Sequence, residues 1–212
     1  MGDVSKSCPY DLWDEEIVYP GKWMTTRRIK FRLKSNGQEG TWESAHRSVA
    51  KDYKNADCIG VLAILKKEGR KYFVLIRQYR IPTRSWVVEF PAGHIDDTDP
   101  DIEEAGIREL KEETGYTPTK IHGWSYGRQF LDTGLGDESF RFLFVEIDGD
   151  AEINKNPQQQ LDHDEHCEVL LVECDQLLNF LDDINKNSTD TEVLACLYTF
   201  AVGYCMRNKF GI

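Results

Sequence analysis

PAGHIDDTDPDIEEAGIRELKEETGY, residues 91–116, is the stretch on which the reading of this chain turns. It opens as a Gly-containing loop, runs through an acidic turn and continues as a helix. Gly115 suits the left-handed position that closes the helix, and Pro118 stops any continuation. At the other end Asp99 fits the N-cap, Pro100 the first helical position, and Asp101 complements the positive end of the dipole. Glu109, Glu112 and Glu113 fall at i, i+3 and i+4, so their carboxylates share about one face. Like charges at that spacing repel by roughly 0.2–0.5 kcal/mol per pair, a cost that a hard divalent cation with oxygen ligands removes. Arg108, four residues before Glu112, can brace it, and Ile102, Ile107 and Leu110 form the apolar stripe that docks the helix. Two other readings compete. A run of this kind can be a solvated charged helix. The calcium-loop reading of Asp97-Thr98-Asp99-Pro100-Asp101 fails, because position six is Ile102 rather than Gly and position twelve is Arg108 rather than Glu.

Working outward, Trp86 to Phe90 reads as a short strand feeding the loop. Upstream, Cys58 to Leu65 (CIGVLAIL) is apolar throughout and reads as a buried strand. Tyr72 to Arg80 is a strand that starts apolar and ends basic, with Arg77, Arg80 and Arg84 gathering as a local attraction for an anion. Ile17 to Arg47 reads as two strands around the Asn36-Gly37 turn, with Trp23 and Trp42 flanking its base as a nucleobase clamp or as a small hairpin core. Residues 1–16 read as a flexible leader. Downstream, Ile121 to Tyr126, Phe140 to Ile147 and Cys167 to Val172 read as strands. A Gly-rich loop follows Phe130, and the polar stretch 148–166 is expected to be a functional lid or disordered. Asp175 to Leu181 reads as helix, and so does Thr191 to Arg207, whose Leu194, Leu197, Tyr198, Ala201, Val202 and Cys205 make a core stripe.

With 212 residues the chain can fold as one generous domain or as a core with a small appended one. A net charge of −11 argues against nucleic acid and anionic membrane as partners. No signal-peptide core or membrane-length apolar run is visible, which points to the cytoplasm or nucleus. Six cysteines without a C-x-x-C pair suit reduced, mostly buried thiols, and the spacing of His163, His166, Cys167 and Cys174 fits no common zinc site.

Residues 91–116 resemble the Nudix box, G-x5-E-x7-R-E-U-x-E-E-x-G-U with U a bulky aliphatic. Gly93, Arg108, Glu109, Leu110, Glu112, Glu113 and Gly115 match it. Three positions depart: Asp99 replaces the first Glu, eight residues rather than seven separate it from Arg108, and Tyr116 stands for the last aliphatic. The extra residue is expected to be absorbed in the turn before the helix. Outside the box, GKW (21–23), TWESAHR (41–47), IRQYR (76–80), VVEFPAGHIDD (87–97), FLDTGLGDES (130–139) and DEHCEV (164–169) are similar to the ADP-ribose (ADP-sugar) pyrophosphatases of that family.

The resemblance implies an α/β fold: a Nudix α/β/α sandwich on a mixed sheet, residues 51–212. A small N-terminal antiparallel β-hairpin subdomain, residues 17–50, would serve dimerisation and adenine clamping. It implies Mg²⁺, with Mn²⁺ as a substitute, bound by Glu109, Glu113, the Ala92 carbonyl and Glu165, with Glu112 a third carboxylate ligand or an outer partner. Glu165 would ligate metal or orient the attacking water. Trp23 and Trp42 would sandwich adenine, one of them from a second subunit of a homodimer. Arg47 and Arg80 would hold the diphosphate, Glu43 and Asp132 would contact adenine or ribose, and His94, where the family has an aliphatic, would alter sugar contacts. The implied reaction converts ADP-ribose, a small nucleoside diphosphate sugar, to AMP and ribose 5-phosphate. The alternatives are hydrolysis of oxidised guanine nucleoside diphosphates and a non-catalytic nucleotide-binding module.

Overall fold

The computed structural model describes residues 8–47, 56–163 and 165–210. They divide into two compact units, one holding the strands up to Arg47 together with Phe130–Ser139, the other the remainder. The first unit is built on a three-stranded antiparallel sheet of β1 (Tyr10–Pro20), β2 (Met24–Leu33) and β3 (Glu39–Arg47), in that order. The Asn36-Gly37 turn closes as expected, with Gly37 at φ 73° and Leu33 N–H donating to Gln38 O at 2.8 Å. The leader reading is corrected over the part that is described, since Tyr10 to Glu16 belong to β1. Residues 1–7, and the boundary expected between residues 50 and 51, lie outside the described residues. The reason for the strand is cross-strand charge: Asp14 meets Lys30 at 2.9 Å, Glu15 meets Arg27 at 3.0 Å and Glu16 meets Arg28 at 3.1 Å. These exposed pairs are each worth little, but together they favour this pairing of a strand whose acidic centre, Asp14 to Glu16, faces the basic β2.

The second unit is organised by a nine-stranded mixed sheet. Its strands include β4 (Cys58–Lys67), β5 (Arg70–Arg80), β6 (Ser85–Glu89), β7 (Ala92–His94), β8 (Lys120–Trp124), β9 (Gln129–Phe130), β10 (Ser139–Asp148), β11 (Cys167–Glu173) and β12 (Thr191–Val193). Alternation along the strands sorts side chains onto two cores. Ile59, Val61, Ala63 and Leu65 of β4 and Val74 of β5 pack under helix α1 (Ile102–Thr114), around Leu110. Phe73 and Leu75 face the opposite side and pack on α2 (Leu177–Asn187) and α3 (Ala195–Phe210) through Leu177, Leu181, Leu197 and Ala201. Helices on both faces of a mixed sheet are the expected α/β/α arrangement.

Three readings of the second unit need correction or sharpening. Thr191 to Val193 is not the start of the last helix; it is β12, parallel to Trp86–Val88 of β6. Thr and Val pack well on a pleated surface, and the helix begins only at Ala195. The polar stretch after Asp148 is anchored rather than structureless where it is described. Asn154 is buried and wholly engaged, accepting from Thr117 N at 2.9 Å while donating to Thr117 O at 3.0 Å and Asp148 O at 2.9 Å. All six cysteines are free; Cys58, Cys167 and Cys174 are buried, and burial pushes the Cys167 thiol up to about 12. Among the described residues no helix is long and apolar enough to cross a membrane.

Candidate active site

The site is built where β7 meets α1. β7 pairs antiparallel with the first residues of β4, Gly93 opposite Ile59 and Ala92 opposite Gly60. This lays the loop after Glu89 across the carboxylate face of the helix. A Cβ at Gly93 would overlap the Glu109 carboxylate, so only glycine lets the loop come this close. Ala92 N–H donates to Glu113 Oε2 at 2.8 Å.

The helix itself is capped two residues later than the sequence suggests. Asp101, not Asp99, is the N-cap, accepting from Glu103 N at 2.9 Å and Glu104 N at 3.0 Å. Asp99 instead takes the Arg108 guanidinium in two bonds, Nε to Oδ1 at 3.0 Å and Nη2 to Oδ2 at 2.9 Å. That grip holds the Asp99 carboxyl below the usual range. The additional residue ahead of Arg108 is thus accommodated in the turn. Gly115 closes the helix in the left-handed conformation at φ 76°.

Arg108 is the organiser of this face. Besides Asp99 it donates from Nη2 to His94 O at 2.9 Å, and from Nη1 to Glu109 Oε1 at 2.8 Å and Glu112 Oε2 at 2.9 Å. One guanidinium serves several carboxylates and cannot neutralise them all. Glu113 is 1% exposed and Glu109 8%. Burial, with Glu112 and Glu165 adding repulsion against the attraction of Arg108, pushes Glu109 from 4.5 up to about 7. Burial also drives Glu113 well above the carboxylate range, opposed by the Ala92 N–H and aggravated by Glu109 and Glu165. Two buried carboxyls, a third beside them and the field of a fourth make a hard-oxygen donor set short of positive charge, which fits a divalent cation.

Arg80 and Glu165 are in the same unit and both act electrostatically on Glu113. The Arg80 fork is bound to the buried Glu89, Nε to Oε1 at 2.7 Å and Nη2 to Oε2 at 2.8 Å. Among the described residues it uses two of its five N–H groups, so donors remain for an anion. Arg77, which the sequence grouped with it, is spent elsewhere: it lies 4.4 Å over the Trp86 ring and pairs with Glu168 and Asp190. Sequence reasoning missed Glu89 and also Gln78, a buried residue whose Oε1 has no hydrogen-bond partner among the described residues. Both lie inside stretches that carry the resemblance, IRQYR (76–80) and VVEFPAGHIDD (87–97), but the sequence assigns neither a role.

The remaining expected residues lie in the first unit. Trp23, in the link from β1 to β2, is 72% exposed, and Trp42 on β3 is 51% exposed, so neither is hairpin core. Glu43 is paired with Arg28 at 2.7 Å. Arg47 donates through Nε to Glu138 at 2.9 Å and is also bonded to it through Nη2. Asp132 accepts from Gly134 N at 3.0 Å and Leu135 N at 3.2 Å, shaping the Gly-rich loop, and Leu135 O in turn accepts from Ala45 N at 2.8 Å.

Comparison with known proteins gives a consistent picture. The NUDIX domain family model matches residues 54–193. A putative nudix hydrolase 2 of Caenorhabditis elegans is 40% identical over 198 residues, spanning 93% of this chain and 87% of that protein. An ADP-ribose pyrophosphatase of Saccharomyces cerevisiae is 36% identical over 194 residues, spanning 90% and 80%. A solved structure of an ADP compounds hydrolase superposes with a TM-score of 0.66 at 18% identity, over 98% of this chain and 100% of that one, a likeness of fold.

Proposed function

The chain belongs to the Nudix family and is a hydrolase, and from that premise we propose that it cleaves the diphosphate bond of ADP-ribose, and of other ADP-sugars, to AMP and a sugar 5-phosphate with Mg²⁺ or Mn²⁺ as cofactor. The observation that carries this is the shared face of Glu109, Glu112 and Glu113, two of them buried, with the Arg108 guanidinium already divided among Asp99, Glu109 and Glu112. Glu109, Glu113, the Ala92 carbonyl and Glu165 are the residues that would hold the cation. Bound there, it supplies charge neutralisation and Lewis acidity toward the diphosphate.

The protein's own residues do the rest. Arg108 holds Glu109 and Glu112 in orientation, itself anchored by Asp99 and the His94 carbonyl. The Ala92 N–H fixes the Glu113 carboxyl. Arg80 offers its free N–H groups to negative charge growing on the attacked phosphorus, and Glu165 orients the attacking water. On the N-terminal sheet, the exposed faces of Trp23 and Trp42 suit a nucleobase, with one ring drawn from a second copy of the chain in a homodimer. Arg47, Glu43 and Asp132 would exchange present partners for diphosphate, adenine or ribose, and His94 tunes the sugar contact. A panel of nucleoside diphosphate sugars incubated with Mg²⁺ in ¹⁸O water tests the reading. ADP-ribose should yield AMP and ribose 5-phosphate with label in one product. Inertness toward every ADP-sugar, or a preference for guanine nucleoside diphosphates, would overturn it.

A further inference from the structure

We propose that Gln159 is a positioning residue that sets the Glu113 end of the carboxylate helix against the strand leading from Glu165. The inference rests on the hydrolase reading above and concerns how that site is held in shape.

A helix leaves its last carbonyls without intrahelical partners. Here Gly115 N–H returns to Lys111 O at 2.8 Å, and the next two carbonyls are met from the polar stretch after Asp148. Gln160 N–H donates to Glu112 O at 2.7 Å. The Gln159 side chain donates from Nε2 to Glu113 O at 2.6 Å, and the same nitrogen donates to Cys167 O at 3.2 Å and lies 3.4 Å from Cys167 Sγ. The backbone of Pro157 and Gln158 is pressed so closely on the helix end that a Cβ at Gly115 would run into it. One carboxamide therefore joins the carbonyl of a buried site glutamate to the first residue of β11, two positions beyond Glu165. Glu113 and Glu165 already feel each other electrostatically, so the separation of their two elements governs how many carboxylates converge on one cation. The geometry needs two N–H donors on one nitrogen; Leu has the size without the donors, and Glu would set a carboxylate against two carbonyl oxygens.

The test compares wild type with Gln159→Leu and Gln159→Glu. Three readouts are taken: Mn²⁺ binding by EPR in the absence of substrate, kcat and KM on ADP-ribose, and Tm in EDTA. Loss of an outer hydrogen bond to a metal site costs roughly 10–100-fold in affinity or activity. Gln159→Leu should weaken Mn²⁺ binding and lower kcat within that range while KM moves less than about threefold, and Gln159→Glu should be the worse of the two. If both variants bind Mn²⁺ and turn over as wild type does, with only Tm reduced, Gln159 is a structural fastening and the proposal fails while the hydrolase reading stands. If the wild type binds no Mn²⁺, the reading beneath it fails too. If the wild type binds Mn²⁺ but spares ADP-ribose, the substrate is wrong and the Mn²⁺ arm still decides on Gln159.

Discussion

Neutralising Glu109 should make the metal-free protein more stable. Gln keeps an oxygen for the 2.8 Å bond from Arg108 Nη1 and removes a buried negative charge. The carboxyl is raised from 4.5 to about 7 in the folded state, so ionising it costs folding about 3 kcal/mol at 1.36 kcal/mol per pK unit. The sign follows from the direction of the shift. Below about pH 4.5 the carboxyl is neutral folded and unfolded, and wild type and Glu109→Gln should match. Between about 4.5 and 7 the wild type loses stability as pH rises, and above 7 the deficit is complete. For a chain of this size the deficit corresponds to roughly 6–12 °C in Tm. Thermal unfolding in EDTA from pH 4 to 9 should show that divergence. Saturating Mg²⁺ should close it, because the cation stabilises the wild type by mass action. A Glu109→Gln protein that is less stable than wild type in EDTA at pH 9 would refute the reasoning, and would make Glu109 simply a structural partner of Arg108.

Two further outcomes are expected. Trp42→Ala should raise KM for ADP-ribose more than it lowers kcat, since stacking on an exposed ring binds ground and transition states alike; steady-state kinetics that show an unchanged KM with a reduced kcat would remove the clamp. Asp101→Ala should cost about 1 kcal/mol, read as a drop in Tm, by removing the acceptor of the Glu103 and Glu104 N–H groups, whereas an unaffected Tm would contradict the cap assignment.

Much of the site was legible because its information is local. The spacing of Glu109, Glu112 and Glu113 on a helix, the bracing Arg108 and the closing Gly115 are all contained in one short run, and the structure has them as read. The cap was misplaced because Asp99 and Asp101 are both good caps; only the turn geometry, which delivers Asp99 to Arg108, separates them. The first half of β1, with its acidic Asp14 to Glu16, was hidden for a related reason. Its partners Arg27, Arg28 and Lys30 lie more than a turn away in sequence, and an acidic run with distant counter-charges looks like a solvated tail. β12 was absorbed into the helix that follows because three residues are too few to show a period. Gln78 and Glu89 lie inside stretches that carry the resemblance and Gln159 outside them, but each matters through a contact made by folding, which residue type and spacing do not announce.

The central claim, that a carboxylate face holds a cation against a diphosphate, is tested most directly by the rate of ADP-ribose hydrolysis as Mg²⁺ is titrated back after EDTA, in wild type and in Glu113→Gln. The account predicts no turnover in EDTA, saturable recovery with Mg²⁺ in the wild type, and a kcat lower by orders of magnitude in a folded Glu113→Gln. Full activity in EDTA, or a Glu113→Gln enzyme as fast as wild type, would contradict it.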